Sequence, residues 1–161
     1  MTKTDKSKHN ICIASIKRST IKPYDFRWTN FYESNSDFSN SKLQILLNEN
    51  ELFICSTIID TDNYSILTTQ RLLTRANKID NFGDIEGAID KLYGDFKGND
   101  VNLFTLGQIE LHNGSILNYF IETGKASMIM IHGLRTLIKI QKMTNTQIDN
   151  VTRNWNRQNE I

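Results

Sequence analysis

The stretch KASMIMIHGLRTLIKIQKM, Lys125 to Met143, leaves this chain few ways to fold. At 100° per residue, Ala126, Met130, Gly133, Leu134 and Leu137 fall on one side, flanked by Ile129, Ile131, Ile138 and Ile140. His132, Arg135, Lys139 and Lys142 line up as a basic stripe on the other. The spacing predicts an amphipathic helix with a wide apolar arc, too long for one strand, that must lie deep against something flat and apolar. Short strand-like segments upstream are the candidates for that surface.

Residues 1–10 are polar and are expected to be disordered. An aromatic-rich arm follows over residues 11–40. Ile11 to Ile16 has the composition of a short edge strand. Tyr24, Phe26 and Trp28 alternate with polar residues, and Phe31, Tyr32 and Phe38 follow closely. This alternation predicts an extended segment with one aromatic face. That face either covers an open end of the core or forms a groove for a partner. Ser39 or Ser41 caps an expected short helix carrying Leu43, Leu46 and Leu47. Leu52 to Ile59, LFICSTII, reads as a strand covered on both faces. Asp60-Thr61-Asp62-Asn63 turns the chain, and Tyr64–Thr68 and Arg71–Ala76 continue a meander. Asp84 to Phe96 has helical spacing at Ile85, Ala88, Ile89, Leu92 and Phe96. Leu103–Leu111 and Ser115–Ile121 flank Asn113-Gly114, a strong hairpin signal because both turn residues tolerate positive φ. Residues 144–161 form a polar tail or a short helix on Ile148, Val151 and Trp155.

Several of these residues carry a family likeness. Leu43, Leu46 and Leu47, the acidic pair Glu49 and Glu51 before Leu52-Phe53, the hairpin, and Leu67-Thr68-Thr69-Gln70-Arg71-Leu72 as an "LT-x-x-R-L" strand turn come in order. A later hairpin and a C-terminal amphipathic helix complete the set. Over residues 41–143 the chain resembles bacterial pleckstrin-homology-like domains. The resemblance implies an α+β fold, a small antiparallel β-barrel or bent sheet of about seven strands closed by the final helix. The expected helix at 84–96 departs from that pattern, where strands are more usual. Phosphoinositide binding in the eukaryotic relatives uses basic residues in the loop between the first two strands. Here that loop is Asp60-Thr61-Asp62-Asn63, which is acidic.

Charge narrows the function classes. The net charge is +1, with +5 over residues 1–30, −6 over 31–100 and +2 over the rest. No dense basic surface accompanies the aromatic arm, so a nucleic-acid partner is not expected. No apolar run reaches the length of a membrane span and no secretory signal is visible, which predicts a cytoplasmic protein. The Ile-, Asn- and Lys-rich composition points to a bacterial source. Cys12 and Cys55 fit buried thiols in a reducing compartment.

Catalytic patterns are sparse. His9, His112 and His132 have no zinc-ligand spacing, and no phosphate-binding glycine pattern or serine-nucleophile elbow occurs. Asp60-Thr61-Asp62 opens like a calcium loop, but Ser65 stands in the glycine position and Arg71 in that of the bidentate glutamate. Neither metal nor cofactor is expected. The leading expectation is a non-catalytic interaction module, regulatory or toxin-neutralising, whose partner is another protein. Tyr24, Phe26 and Trp28 on the arm and His132, Arg135, Lys139 and Lys142 on the helix are its candidate contacts. The arm can also pack on a second copy of the chain. The rivals are a small hydrolase or isomerase using Glu110, His112 or Glu122, and peripheral membrane attachment through the basic stripe.

Overall fold

The structure, a computed structural model, describes residues 4–39, 42–98 and 102–142, with the Lys142 side chain excluded. Eight strands and two helices follow in the order α1 (Asp5–Ser19), β1 (Thr29–Phe31), β2 (Phe53–Asp60), β3 (Asn63–Thr68), β4 (Arg71–Ala76), β5 (Ile79–Asp84), β6 (Ile89–Leu92), β7 (Phe104–Glu110), β8 (Ile116–Glu122) and α2 (Ser127–Lys142). The strands form two antiparallel sheets, β1-β2-β3-β4-β5 and β6-β7-β8. The sheets do not close into a barrel, so the expected curved scaffold is an open pair. Their seam is marked by the Phe120 N–H, which donates to Ser65 Oγ at 2.8 Å across the gap.

α2 forms as the periodicity predicts, after a 3₁₀ turn over Gly124–Ala126. Ile129, Met130, Leu134 and Leu137 are fully buried against both sheets and α1. Gly133 sits at the closest approach. A Cβ there would stand 3.0 Å from Cys55 Sγ and 3.3 Å from Ile16 Cδ1. Both cysteines are buried free thiols.

Four expectations are corrected. Asp5–Ser19 is helical, so residues 5–10 are ordered and Ile11–Ile16 is no strand. Thr4 caps α1, its hydroxyl accepting from the Ser7 N–H at 3.1 Å. His9, Cys12, Ile13 and Ile16 then repeat at i, i+3, i+4 and i+7 and turn into the core. The run ICIASI looks continuous because Ile11 and Ala14 are buried as well. His9 Nε2 lies 2.8 Å from the Tyr32 carbonyl oxygen and ties α1 to the chain after β1.

The Ser39/Ser41 helix is absent from the described residues. Leu43, Ile45 and Leu47 face inward at every second position, while Leu46 is 88% exposed. That is extended periodicity, and this segment covers the second face of the five-stranded sheet with Phe38, which stacks on Phe53 at 4.3 Å. β2 is therefore buried on both faces, as its composition predicts. Residues 84–96 hold the end of β5 and β6, not a helix. Ile85 and Ala88 are buried where the chain crosses between sheets, and Gly87 adopts φ +78° there.

Candidate functional site

Cross-strand partners share a face of a sheet, so the register of β6-β7-β8 sorts its side chains. Asp90 pairs with Ile109, Ile109 with Leu117, Gly107 with Tyr119 and Thr105 with Ile121. Ile109, Leu117, Tyr119 and Ile121 belong to the core cluster shared with α2. The opposite face carries Ile89, Glu110 and Ile116 in one row, then Leu92, Gln108 and Asn118, then Leu106 with Phe120, then Phe104 with Glu122. Ile89, Leu92, Phe104, Leu106 and Ile116 are each 43–58% exposed. Five half-exposed large apolar side chains thus share one face with Glu110, Gln108 and Asn118, and apolar patches on a monomer are often functional.

The aromatic arm extends this patch at one point. Trp28 meets Phe104 edge to face at 6.3 Å, Phe104 meets Phe120 at 5.5 Å, and the Arg27 guanidinium lies 4.8 Å over the indole. The alternation in the sequence is real: Tyr24, Phe26 and Trp28 are half-buried while Asp25 and Arg27 are exposed. Tyr24 and Phe26 turn the other way, Tyr24 against Phe31 at 5.0 Å and Phe26 against the main core. Glu122 fixes the arm. Its carboxylate accepts from the Trp28 N–H at 2.7 Å, the Arg27 N–H at 3.1 Å and the Thr29 hydroxyl at 2.9 Å. The carboxylate therefore serves the arm.

A groove of about 550 Å³ runs from the patch to the rim of β5, where Phe82 is 64% exposed. Its walls include Phe104, Leu106 and Ile116 on one side and Thr74 and Asn81 on the other. Nothing in the sequence singled out Phe82, Phe104 or Leu106. Their outward positions in β7 alternate with the inward ones, and that signal is readable only once the hairpin register is known.

The other candidates do not converge. Glu110 pairs with Ile116 at one end of the β7-β8 hairpin and Glu122 with Phe104 at the other, six residues or about 20 Å apart along the strand. Glu110 lies 3.8 Å from Lys91. His112 borders a separate hollow of about 520 Å³ that neither glutamate reaches. On α2, Lys139 and Arg135 are exposed and His132 is half-buried. Burial, then the neighbouring Arg135 charge, holds the His132 imidazole below its ordinary value. Arg135 Nε stands 4.0 Å from Asp90 Oδ2. The basic stripe is thus thinner than its sequence implies, and the Lys142 side chain lies outside the described residues. No helix among the described residues is long and apolar enough to cross a membrane.

Beneath α2, Asp90 accepts from the Tyr93 hydroxyl, while Asp90 Oδ1 and the Tyr119 hydroxyl are buried without a hydrogen-bond partner among the described residues. Burial raises the Asp90 carboxyl above its ordinary value, and Arg135 opposes this only in part. The folded chain then holds that proton more tightly than the unfolded chain does. Stability from this group falls as pH rises through the window above the ordinary value of 3.8. Asp90→Asn, which keeps an acceptor for Tyr93, is expected to stabilise the protein at pH 7 and to lose that advantage at pH 3.5. Urea unfolding at the two pH values checks it. A variant less stable than wild type at pH 7 but not at pH 3.5 would show that attraction to Arg135 outweighs burial.

No protein-family model, no curated protein and no solved structure matches this chain.

Proposed function

We propose that this protein is a non-catalytic interaction module that holds another protein against the outer face of its three-stranded sheet. The carrying observation is the gathering of part-exposed Phe104, Leu106, Ile89, Leu92 and Ile116 on the outer face of the three-stranded sheet, which the arm meets through Trp28 at Phe104. Exposed large apolar side chains are commonplace singly but not gathered on one face. Four consecutive antiparallel strands, three more, and a closing helix is the order a pleckstrin-homology-like architecture has, which supports that reading of the fold. Separation of Glu110, His112 and Glu122 weighs against the hydrolytic alternative. Burial of half of His132, which leaves Arg135 and Lys139 as the exposed cations of the stripe among the described side chains, weighs against attachment to anionic membrane.

Affinity capture from the source cell with the immobilised protein tests this. A protein retained by the wild type and by Lys139→Ala, but lost with Leu106→Asp and with Trp28→Ala, is the expected result. Recovery of the same set by all four, or of nothing specific to the wild type, would end the proposal.

A further inference from the structure

The structure points to a mode for that interaction, and the inference rests on the reading above: we infer that the partner supplies an extended segment, uncharged on the side that meets the groove, that adds as a strand along the free edge of β5. β5 closes the five-stranded sheet and, among the described residues, pairs only with β4. The β4-β5 hairpin turns through Asn77 and Lys78, both at positive φ, and its register is unbroken. The Ile85 N–H donates to the Gln70 carbonyl at 3.1 Å, one step beyond the Arg71–Asp84 pair. Hydrogen-bonded pairs alternate along an antiparallel ladder, so Gly83, Asn81 and Ile79 turn their backbone groups to β4. Asp80, Phe82 and Asp84 turn theirs outward. Such an edge is a template for another strand.

The groove beside this edge sets the chemistry of the segment. None of its fourteen lining residues is charged. A charged side chain brought there would lose water and find no counter-ion, which is costly. The side-chain amides of Asn81 and Asn118 make no hydrogen bond among the described residues, and each offers donors and an acceptor suited to peptide groups. Phe104, Leu106 and Ile116 form the apolar wall. A strand sends alternate side chains to opposite sides, so the fitting segment has about six residues with apolar ones at every second place. A second copy is a poorer occupant, since β5 against β5 would line up two Asp80 and two Asp84 along one seam.

Selection of a random dodecapeptide phage library on the immobilised protein tests this, with fluorescence anisotropy on the enriched peptide. Enriched sequences are expected to share uncharged apolar residues at alternate places, the ones that face the groove. Phe82→Pro removes one outward N–H and leaves the ladder to β4 intact, a substitution edge strands tolerate. It is expected to weaken the peptide about tenfold relative to Phe82→Ala, the loss of one well-made hydrogen bond. Circular dichroism confirms that both variants fold. No enrichment, charges at every second place of the consensus with no uncharged alternate row, or equal weakening by Pro and Ala would overturn the inference, as would a wild-type dimer that Phe82→Pro dissolves. If selection fails while Leu106→Asp still releases the captured protein, strand addition falls and the interaction reading stands. If both fail, both fall.

Discussion

Arg71→Ala is expected to cost about 3–5 kcal/mol, the range for stripping one partner from a buried ion pair. The Glu51 side chain is wholly buried and Arg71 is its counter-ion, with Nε 2.9 Å from Oε2 and Nη2 3.1 Å from Oε1. The Thr68 hydroxyl also donates to Oε2, and the Asn48 N–H to Oε1 at 2.8 Å. Arg71 reaches further and donates to the Leu46 carbonyl at 2.6 Å, so it also anchors the extended segment over the second sheet face. Burial pushes the Glu51 carboxyl up, but hydrogen bonds from Arg71, Thr68 and the Asn48 N–H outweigh it, and the group titrates below its ordinary value. Its contribution is therefore present above the ordinary carboxylate range and is lost as pH falls through the depressed value. Urea unfolding of Arg71→Ala should show the full deficit at pH 7 and a smaller one in acid, where Glu51 takes up a proton. Replacing the pair together, as Glu51→Leu with Arg71→Met, should recover much of the loss. A deficit under about 1 kcal/mol at pH 7 would place the pair in the class of solvated surface contacts.

Leu134→Ala is expected to cost about 2–5 kcal/mol by emptying the centre of the contact between α2, α1 and the sheets. Leu134 is fully buried, one residue from the Gly133 close approach. The backbone held against Cys55 and Ile16 has little room to collapse into the space left. Chemical denaturation should show a lower midpoint with an unchanged slope. Lys139→Ala, on the exposed side of the same helix, should stay within about 0.5 kcal/mol. Equal effects from the two would mean that the helix presents a different face to the core.

How far the sequence reveals this molecule depends on how many neighbours each signal involves. α2 is legible because its period spans sixteen residues and needs no partner to be recognised. The Asn113-Gly114 turn and the β2-β3-β4 meander are legible for the same local reason. The "LT-x-x-R-L" segment is legible as a pattern, and the structure gives its physics: Thr68 and Arg71 both serve Glu51. Elsewhere short runs mislead. Leu43 to Leu47 fits a helix if Leu46 is counted inward and an extended chain if Ile45 is, and only the uncovered second face of the sheet decides. Ile85, Ala88 and Ile89 show helical spacing by coincidence, two facing the core at a crossover and one facing out from β6. The outer face of β6-β7-β8 has no local signature, because its apolar members come from three strands. The aromatic arm is half legible. The alternation shows in which residues are half-buried, but the single aromatic face it predicts is split, Tyr24 and Phe26 turning away from Trp28. Glu122, more than ninety positions later, holds Trp28 in place.

The pairing of α1 with α2 bears on the order in which the molecule can be made. The two helices are neighbours in space but lie just over a hundred residues apart in the chain. At ribosomal rates of about 5–20 residues per second, Ile11, Ile13 and Ile16 wait roughly 5–20 s before the helix that shields them has even been synthesised. Throughout that interval the nascent chain has only the earlier sheet strands, and not its main partner, to set against that greasy flank, the sort of surface chaperones hold until the final element arrives.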